Sequence, residues 1–516
     1  MEVKKNVRRL LSLVILVGTF CAMGIDVRAA EQEPSEKHES YTALSQLNCE
    51  DVRLGIVTGM AYESYYEMVT PRAELVYFNA LTDILFSLQN GQIDGFIDDE
   101  PMARYTIARQ PWLRMLDEPV GEPVDTAFVF GETDFDLKAQ REFNEFLSGI
   151  KSDGTLDSIF DLWYGTDEEK QVLEYPTEGQ NGTLKVCTYA ESAPASFVQN
   201  GQNVGFEMDM LVRFCREYGY SIEISSMDFS GLLNGVASGR YDVATGYISI
   251  TEERKGSVNF SDPFLSTSAY MLVLGDTQEQ NFWDKLGESF HKTFIKEARW
   301  KLIVQGIRTT MVISVCAAAL GTLLGFVLCL LRRMKNRVIH QFTTVYIRLL
   351  QGTPVLVLLM ILFYVVFAKA GLSGNLVAII AFALNFAAYV CEMFRTGIDG
   401  VDRGQTEAAY AIGFTKAQTF FRIVLPQAAA HFLPVYKGEF ISLVKMTSVV
   451  GYVAVQDLTK MSDIIRARTY DPFFPLIATA VIYFLLSTLL TCLLRTVEIR
   501  VLPRRDKRIV KGVRMQ

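Results

Sequence analysis

The sequence predicts an α/β region in its first half and an all-α membrane domain of about five helices in its second, and two observations carry that division. A chain of 516 residues exceeds one domain, and a mean hydropathy of +0.18 with 50% hydrophobic residues is high for a protein wholly in water. Apart from a short run near the N-terminus, the uncharged stretches long enough for lipid all lie beyond residue 309, whereas the region before 276 alternates short strand-like and helix-like segments.

Residues 1–30 begin with Lys4, Lys5, Arg8 and Arg9, continue through the apolar run Leu10 to Cys21 and end in Val27-Arg28-Ala29, the pattern of a signal peptide or an N-terminal anchor. The α/β region beyond it is therefore expected outside the cell. The eight cysteines are scattered, no CxxC pattern occurs and only four histidines are present, so no metal or other cofactor is expected. No GxxxxGK[ST] segment is available to wrap a nucleotide, and no nucleic-acid partner is expected.

In the membrane domain, 309–495, Thr309 to Leu331 carries no charge and can cross a hydrocarbon core roughly 30 Å thick. Arg332, Arg333, Lys335 and Arg337 come immediately after it and assign that end to the cytoplasm. Further runs are Pro354 to Ala368, Leu376 to Cys391, Phe440 to Val455 and Phe473 to Cys492, and a basic tail over 496–516 puts the C-terminus inside. Lys460, Arg466 and Arg468 go against this, because the same count places them outside.

The polar interval 396–438 holds the most specific motif. Glu407 to Ile412 is good helix-forming sequence, Gly413 can end it in a left-handed cap, and a second amphipathic helix runs to Pro426, giving a helix-turn-helix. The segments Gly404-Gln405-Thr406-Glu407-Ala408-Ala409-Tyr410-Ala411-Ile412-Gly413 and Leu425-Pro426-Gln427-Ala428, with Lys445-Met446-Thr447-Ser448-Val449 and Arg348 to Pro354, resemble the EAA-loop family of amino-acid ABC importer permeases. That resemblance implies a separate ATPase subunit docking on Glu407, Ala408 and Gly413, and a homodimer or a heterodimer with a second permease in the lipid bilayer.

Ahead of a linker at 277–308, residues 182–276 carry Gly205 to Met210, Met227-Asp228-Phe229-Ser230-Gly231-Leu232 and Ile248-Ser249-Ile250-Thr251-Glu252-Glu253-Arg254. These resemble the first lobe of the periplasmic-type proteins that bind polar amino acids. Residues 43–170 carry Val52 to Gly59, Leu88 to Asp99, and Ile150 to Asp157 with Leu162-Trp163-Tyr164-Gly165, which resemble that family's second lobe and tail. The resemblance implies a circularly permuted, two-lobed α/β solute-binding domain with an amino-acid ligand between the lobes. It assigns Arg254 and Ser249 to the ligand carboxylate with backbone N–H groups near Ala61, Phe229 to its apolar part, and Asp99, or its neighbour Asp98, to its ammonium. A guanidinium offers two parallel N–H bonds to a carboxylate, which suits that role. Near Tyr189 and Ser192 the chain departs from the family's aromatic platform and acidic residue. The implied function is the substrate-binding and permease subunit of an importer; the alternative is a ligand-gated channel or solute sensor, since Val449-Val450-Gly451-Tyr452 echoes part of a potassium filter.

Overall fold

The computed structural model describes residues 41–165, 173–275 and 282–501, so the expected signal segment and most of the basic tail lie outside the described residues. The α/β half forms two lobes, each built on a five-stranded sheet. The first sheet runs Glu74–Phe78, Arg53–Val57, Gly95–Asp99, Leu265–Leu274, Leu113–Thr126 in space, three parallel strands and then two antiparallel ones. The second repeats the scheme with Ser221–Ser226, Thr183–Thr188, Val243–Thr245, Val129–Phe130 and Asn259–Phe260. Parallel strands covered by helices read as apolar runs, and Leu54, Ile56, Val57, Val186 and Val243 are accordingly buried.

The chain crosses between lobes twice, from Thr126 to Val129 and from Phe260 to Leu265. One lobe therefore takes residues up to 126 plus the strand Leu265–Leu274, and the other takes 127–264. The sheets do not divide at the boundary expected between 43–170 and 182–276, and the reason is packing. Helices Asp134–Ser152 and Thr155–Tyr164 bury Phe143, Phe146, Ile159 and Trp163 with Phe206, Met210 and Phe214 of the second lobe. The Trp163 Nε1 also donates to Asp209 Oδ2 at 2.9 Å. An apolar helix stripe seeks whichever core complements it, and the local pattern does not say which one that is.

In the helical half, three helices are long and apolar enough to cross a membrane: Trp300–Arg332, Gly374–Asp399 and Phe474–Thr496. Two bent pairs raise the number to five if each is one span, Arg337–Gly352 with Val355–Val366 at 107° and Lys416–Val453 with Leu458–Thr469 at 54°. The first helix starts at Trp300 rather than 309, because Leu302 and Ile303 bury against Leu458, Met461, Ile464 and Ile465. The second helix of the polar interval does not end at Pro426. That proline lies inside a continuous helical run, just after the wider π-turn Phe420–Val424 and ahead of the rest of Leu425–Met446.

Gly321 and Gly325, one helical turn apart, let Trp300–Arg332 lie directly on Gly374–Asp399. A Cβ on either would come within 2.8 Å of the Ala383 or Ala387 carbonyl oxygen. Gly325→Leu is expected to lower the thermal unfolding midpoint of the full chain in detergent, at a cost of about 1–3 kcal/mol. An unchanged midpoint would mean that this helix pair separates freely.

Candidate functional site

The two lobes close on each other, leaving a void of about 40 Å³ whose walls come from both. Met60, Ala61, Tyr62 and Asp98 enter from the first lobe, and Tyr189, Phe229, Tyr247 and Ser249 from the second. Four of the residues expected from sequence, Ala61, Asp98, Phe229 and Ser249, thus meet at one place. The Phe229 ring is 8% exposed, stands edge-on to Tyr189 at 5.8 Å, and reaches across the cleft to Gly59, whose φ of +89° only glycine adopts easily.

Arg254 sits in a short helix, Glu252–Lys255, capped by the Thr251 side chain. Its guanidinium bridges the lobes, donating from Nη1 to the Ser249 carbonyl at 2.9 Å and from Nη2 to the Gly59 carbonyl at 2.6 Å. Two of its five N–H donors are therefore held by backbone oxygens at the cleft edge.

Asp99 is fully buried, and neither of its carboxylate oxygens has a hydrogen-bond partner among the described residues. Burial pushes its carboxyl up to about 7. Asp98 accepts from the Asp99 backbone N–H at 3.0 Å, and burial, then the neighbouring Asp99 charge, holds it well above the carboxylate range. Sequence reasoning missed a third buried carboxyl: Glu207 accepts from Tyr247 N–H at 2.9 Å and is raised by burial to about 7. The available signal was Glu207 and Asp209 alternating with the apolar residues of Phe206 to Leu211. Tyr247 itself holds φ at +62°, a left-handed conformation uncommon for an aromatic residue. Tyr189 and Glu191 also line the void, where the Glu191–Ser192 strand pairs with Ser196–Gln199.

Beneath the cleft lies a larger chamber, about 410 Å³, between the lobes and the helical half. Phe229 and Glu191 line both spaces, so they form the partition between them. The floor includes Ser448, Gly451 and Tyr452. Lys460 donates from Nζ to Glu191 at 2.6 Å and also to Asp228, while Arg466 pairs with Asp83 of the other lobe and with Asp463 at 3.2 Å. Arg468 pairs with Glu297 at 3.2 Å. The three cations that violated the expected charge bias thus find their counterions mainly outside the membrane helices. Arg240 adds a further tie, donating to the carbonyls of Phe367, at 3.1 Å, and Leu372.

At the Arg332 end of Trp300–Arg332, marked by the 2.7 Å Arg333–Asp399 pair, the helix-turn-helix forms as predicted. Asp402 caps Arg403–Ala411 through Gly404 N–H at 2.6 Å, Gly413 turns the chain at φ +88°, and Thr415 with Gln418 makes a capping box for the next helix. Glu407, Ala408 and Gly413 are exposed, as are Tyr410 and Ile412.

The family described as binding-protein-dependent transport system inner membrane component matches residues 300–503. The glutamine transport system permease protein assigned in Rickettsia bellii (strain RML369-C) is 35% identical over 198 residues, covering 38% of this chain and 91% of that protein. The chain belongs to this family of inner-membrane transport components. A second permease of the family, the L-cystine transport system permease protein of Bacillus subtilis (strain 168), is 34% identical over 217 residues, 42% of this chain and 93% of its own length. Among solved structures, the crystal structure of an amino acid ABC transporter with histidines covers 43% of this chain and 100% of that one at 31% identity, with a TM-score of 0.37. The family match falls wholly within the helical half. In this inner-membrane component the α/β lobes stand ahead of the matched region, and the channel alternative gains no support: Val453 stands where a filter's second glycine would be.

The buried carboxyls give the transport component a pH signature. A carboxyl raised in the fold binds more protons there than in the unfolded chain, so its ionisation subtracts stability as pH climbs from about 4 to about 7, and the loss is complete above that. Stability against thermal unfolding, measured at pH 5, 6, 7 and 8, is expected to fall steadily up to pH 7, by at most about 1.4 kcal/mol per pH unit for each group. Asp99→Asn should flatten the slope; a variant as pH-sensitive as the parent would contradict burial as its cause.

Proposed function

We propose that this protein is the permease subunit of an ATP-driven importer of polar amino acids, carrying its own solute-binding domain in the same chain. The observation that carries the proposal is one void between the two lobes, lined by Ala61 and Asp98 from the first and by Phe229 and Ser249 from the second, with the Arg254 guanidinium bridging the lobes at the cleft edge, next to a membrane domain of the transport family. A guanidinium at the cleft edge and a buried carboxyl on the facing lobe suit the two ends of an amino acid. Relatives named as glutamine, L-cystine and arginine permeases support the substrate class. In this reading the binding domain is circularly permuted: the lobe built on Arg53–Val57, Glu74–Phe78 and Gly95–Asp99 comes first in the chain, and the two crossings at 126–129 and 260–265 form the hinge.

Arg254 with Ser249 and the backbone near Ala61 then takes the α-carboxylate, Asp98 or Asp99 takes the ammonium, and Phe229 packs on the ligand while separating the cleft from the chamber below. The binding domain faces the exterior and the C-terminus the cytoplasm, an orientation favoured by the way Lys460, Arg466 and Arg468 are neutralised by acids such as Glu191, Asp83 and Glu297. A separate ATPase chain docks on the exposed Glu407 loop, and two permease subunits line the pathway. Fusion holds the binding domain at an effective concentration of roughly millimolar, so capture does not wait on diffusion.

Uptake of radiolabelled amino acids by proteoliposomes containing the full chain and its ATPase tests the proposal. Arg254→Ala should raise the Kd for the transported amino acid about 100-fold, the loss of two charge-assisted hydrogen bonds; unchanged affinity would remove Arg254 from the site. Glu407→Lys should leave that Kd intact while abolishing uptake, and normal uptake would remove the loop from the coupling path.

A further inference from the structure

A third cavity, about 310 Å³, lies beside the start of Trp300–Arg332 and shares no lining residue with the cleft or the chamber. Five cationic side chains line it: Arg109 from the first lobe, Lys292, Lys296 and Arg299 from the segment that leads into the membrane, and Arg468 from Leu458–Thr469. The one acid in its lining is Glu297, which is shared between Arg299, at 3.0 Å, and Arg468, at 3.2 Å. Lys292 has its own partner outside the lining, Glu288 at 2.6 Å. Arg109 makes no ion pair among the described residues; its guanidinium lies on the Tyr105 ring, 3.4 Å from the centroid, and donates to the Tyr105 carbonyl at 3.2 Å. Arg468 stacks on Phe197 at 4.6 Å, and its Nε is buried with no hydrogen-bond partner among the described residues.

Like charges gathered around a cavity repel, and a buried guanidinium N–H without an acceptor carries a desolvation cost. The backbone is held in an unusual state to build this wall, since Glu297 and Ala298 both have positive φ, +56° and +50°. An anion inside would offset both costs, and planar guanidinium forks suit the oxygens of a phosphate. The surroundings favour one source of it. Phe290, Ile295 and Trp300, in the same leading segment, are each about half exposed, and an exposed tryptophan beside aliphatic groups at a helix end is the pattern of a membrane–water interface.

We propose that this cavity binds a phosphate group, presented by the headgroup of an anionic phospholipid, and that it ties the first lobe and the leading segment to the membrane surface. The cavity shares no lining residue with the cleft or the chamber, so a failure of this test leaves the amino-acid site untouched. The full chain in neutral detergent would be titrated with phosphatidylglycerol, with phosphatidylcholine and with inorganic phosphate, tracking the thermal midpoint and the retained lipid by native mass spectrometry. Phosphatidylglycerol is expected to give a saturable upward shift and a retained molecule, phosphatidylcholine is not, and Arg109→Gln or Lys292→Gln should each weaken the effect about tenfold. A matching shift with inorganic phosphate would keep the site and make the free anion its occupant. Equal responses to the two lipids with none to phosphate, or a shift undiminished in both variants, would overturn the assignment; both variants change half-exposed side chains and are expected to fold.

Discussion

The arrangement of this molecule depends on one short helix. Leu458–Thr469 presents Lys460 to Glu191 and Asp228 on one lobe, and Arg466 to Asp83 on the other. The Lys460 side chain is only 3% exposed and that of Glu191 5%, so removing Lys460 leaves the buried Glu191 charge uncompensated, at about 3–5 kcal/mol. A buried ion pair is weak evidence for stability but good evidence for geometry, because only one relative placement satisfies it. Here that placement has both lobes seated on the same helix at once. Moving either lobe away from the other would break one set of pairs, so lobe closure and the membrane domain share a common constraint.

That constraint gives the stacked cavities their meaning. The cleft void sits above the chamber, with Phe229 and Glu191 between them, and the chamber floor is made by the helical half. In the import reading, a ligand leaving the cleft enters a space already walled by both domains instead of bulk solvent. The buried carboxyls of Asp98 and Asp99 fit the same picture, since a ligand ammonium beside them would offset the desolvation that raises both.

The helical half was legible because lipid enforces a long, uncharged, helical signature, and because the Glu407 to Gly413 segment carries its own start and stop chemistry in Gly413 and the Thr415 cap. Its boundaries were less so. Leu302 and Ile303 extend the first helix only because a distant segment buries them. The lobes were legible as strands and helices, and Ala61, Asp98, Phe229 and Ser249 line one void. What the sequence could not convey was partnership across long separations. The helices ending in Trp163 belong to the second lobe because Phe206 and Phe214 complete their core, and Lys460 reads as an anomaly until Glu191, far upstream, is set beside it. Glu207 was hidden for the opposite reason, since an acid in the first turn of a helix resembles a solvated position until the fold buries it.

The central claim, that the two lobes form one amino-acid site above a permease, is tested most directly by adding each of the twenty amino acids to the purified full chain and measuring ligand binding by isothermal titration. Saturable binding of one or a few polar amino acids, at one site per chain, is the predicted result. Binding of none of them would contradict it, leaving the family membership of the helical half in place and the lobes without the ligand assigned here.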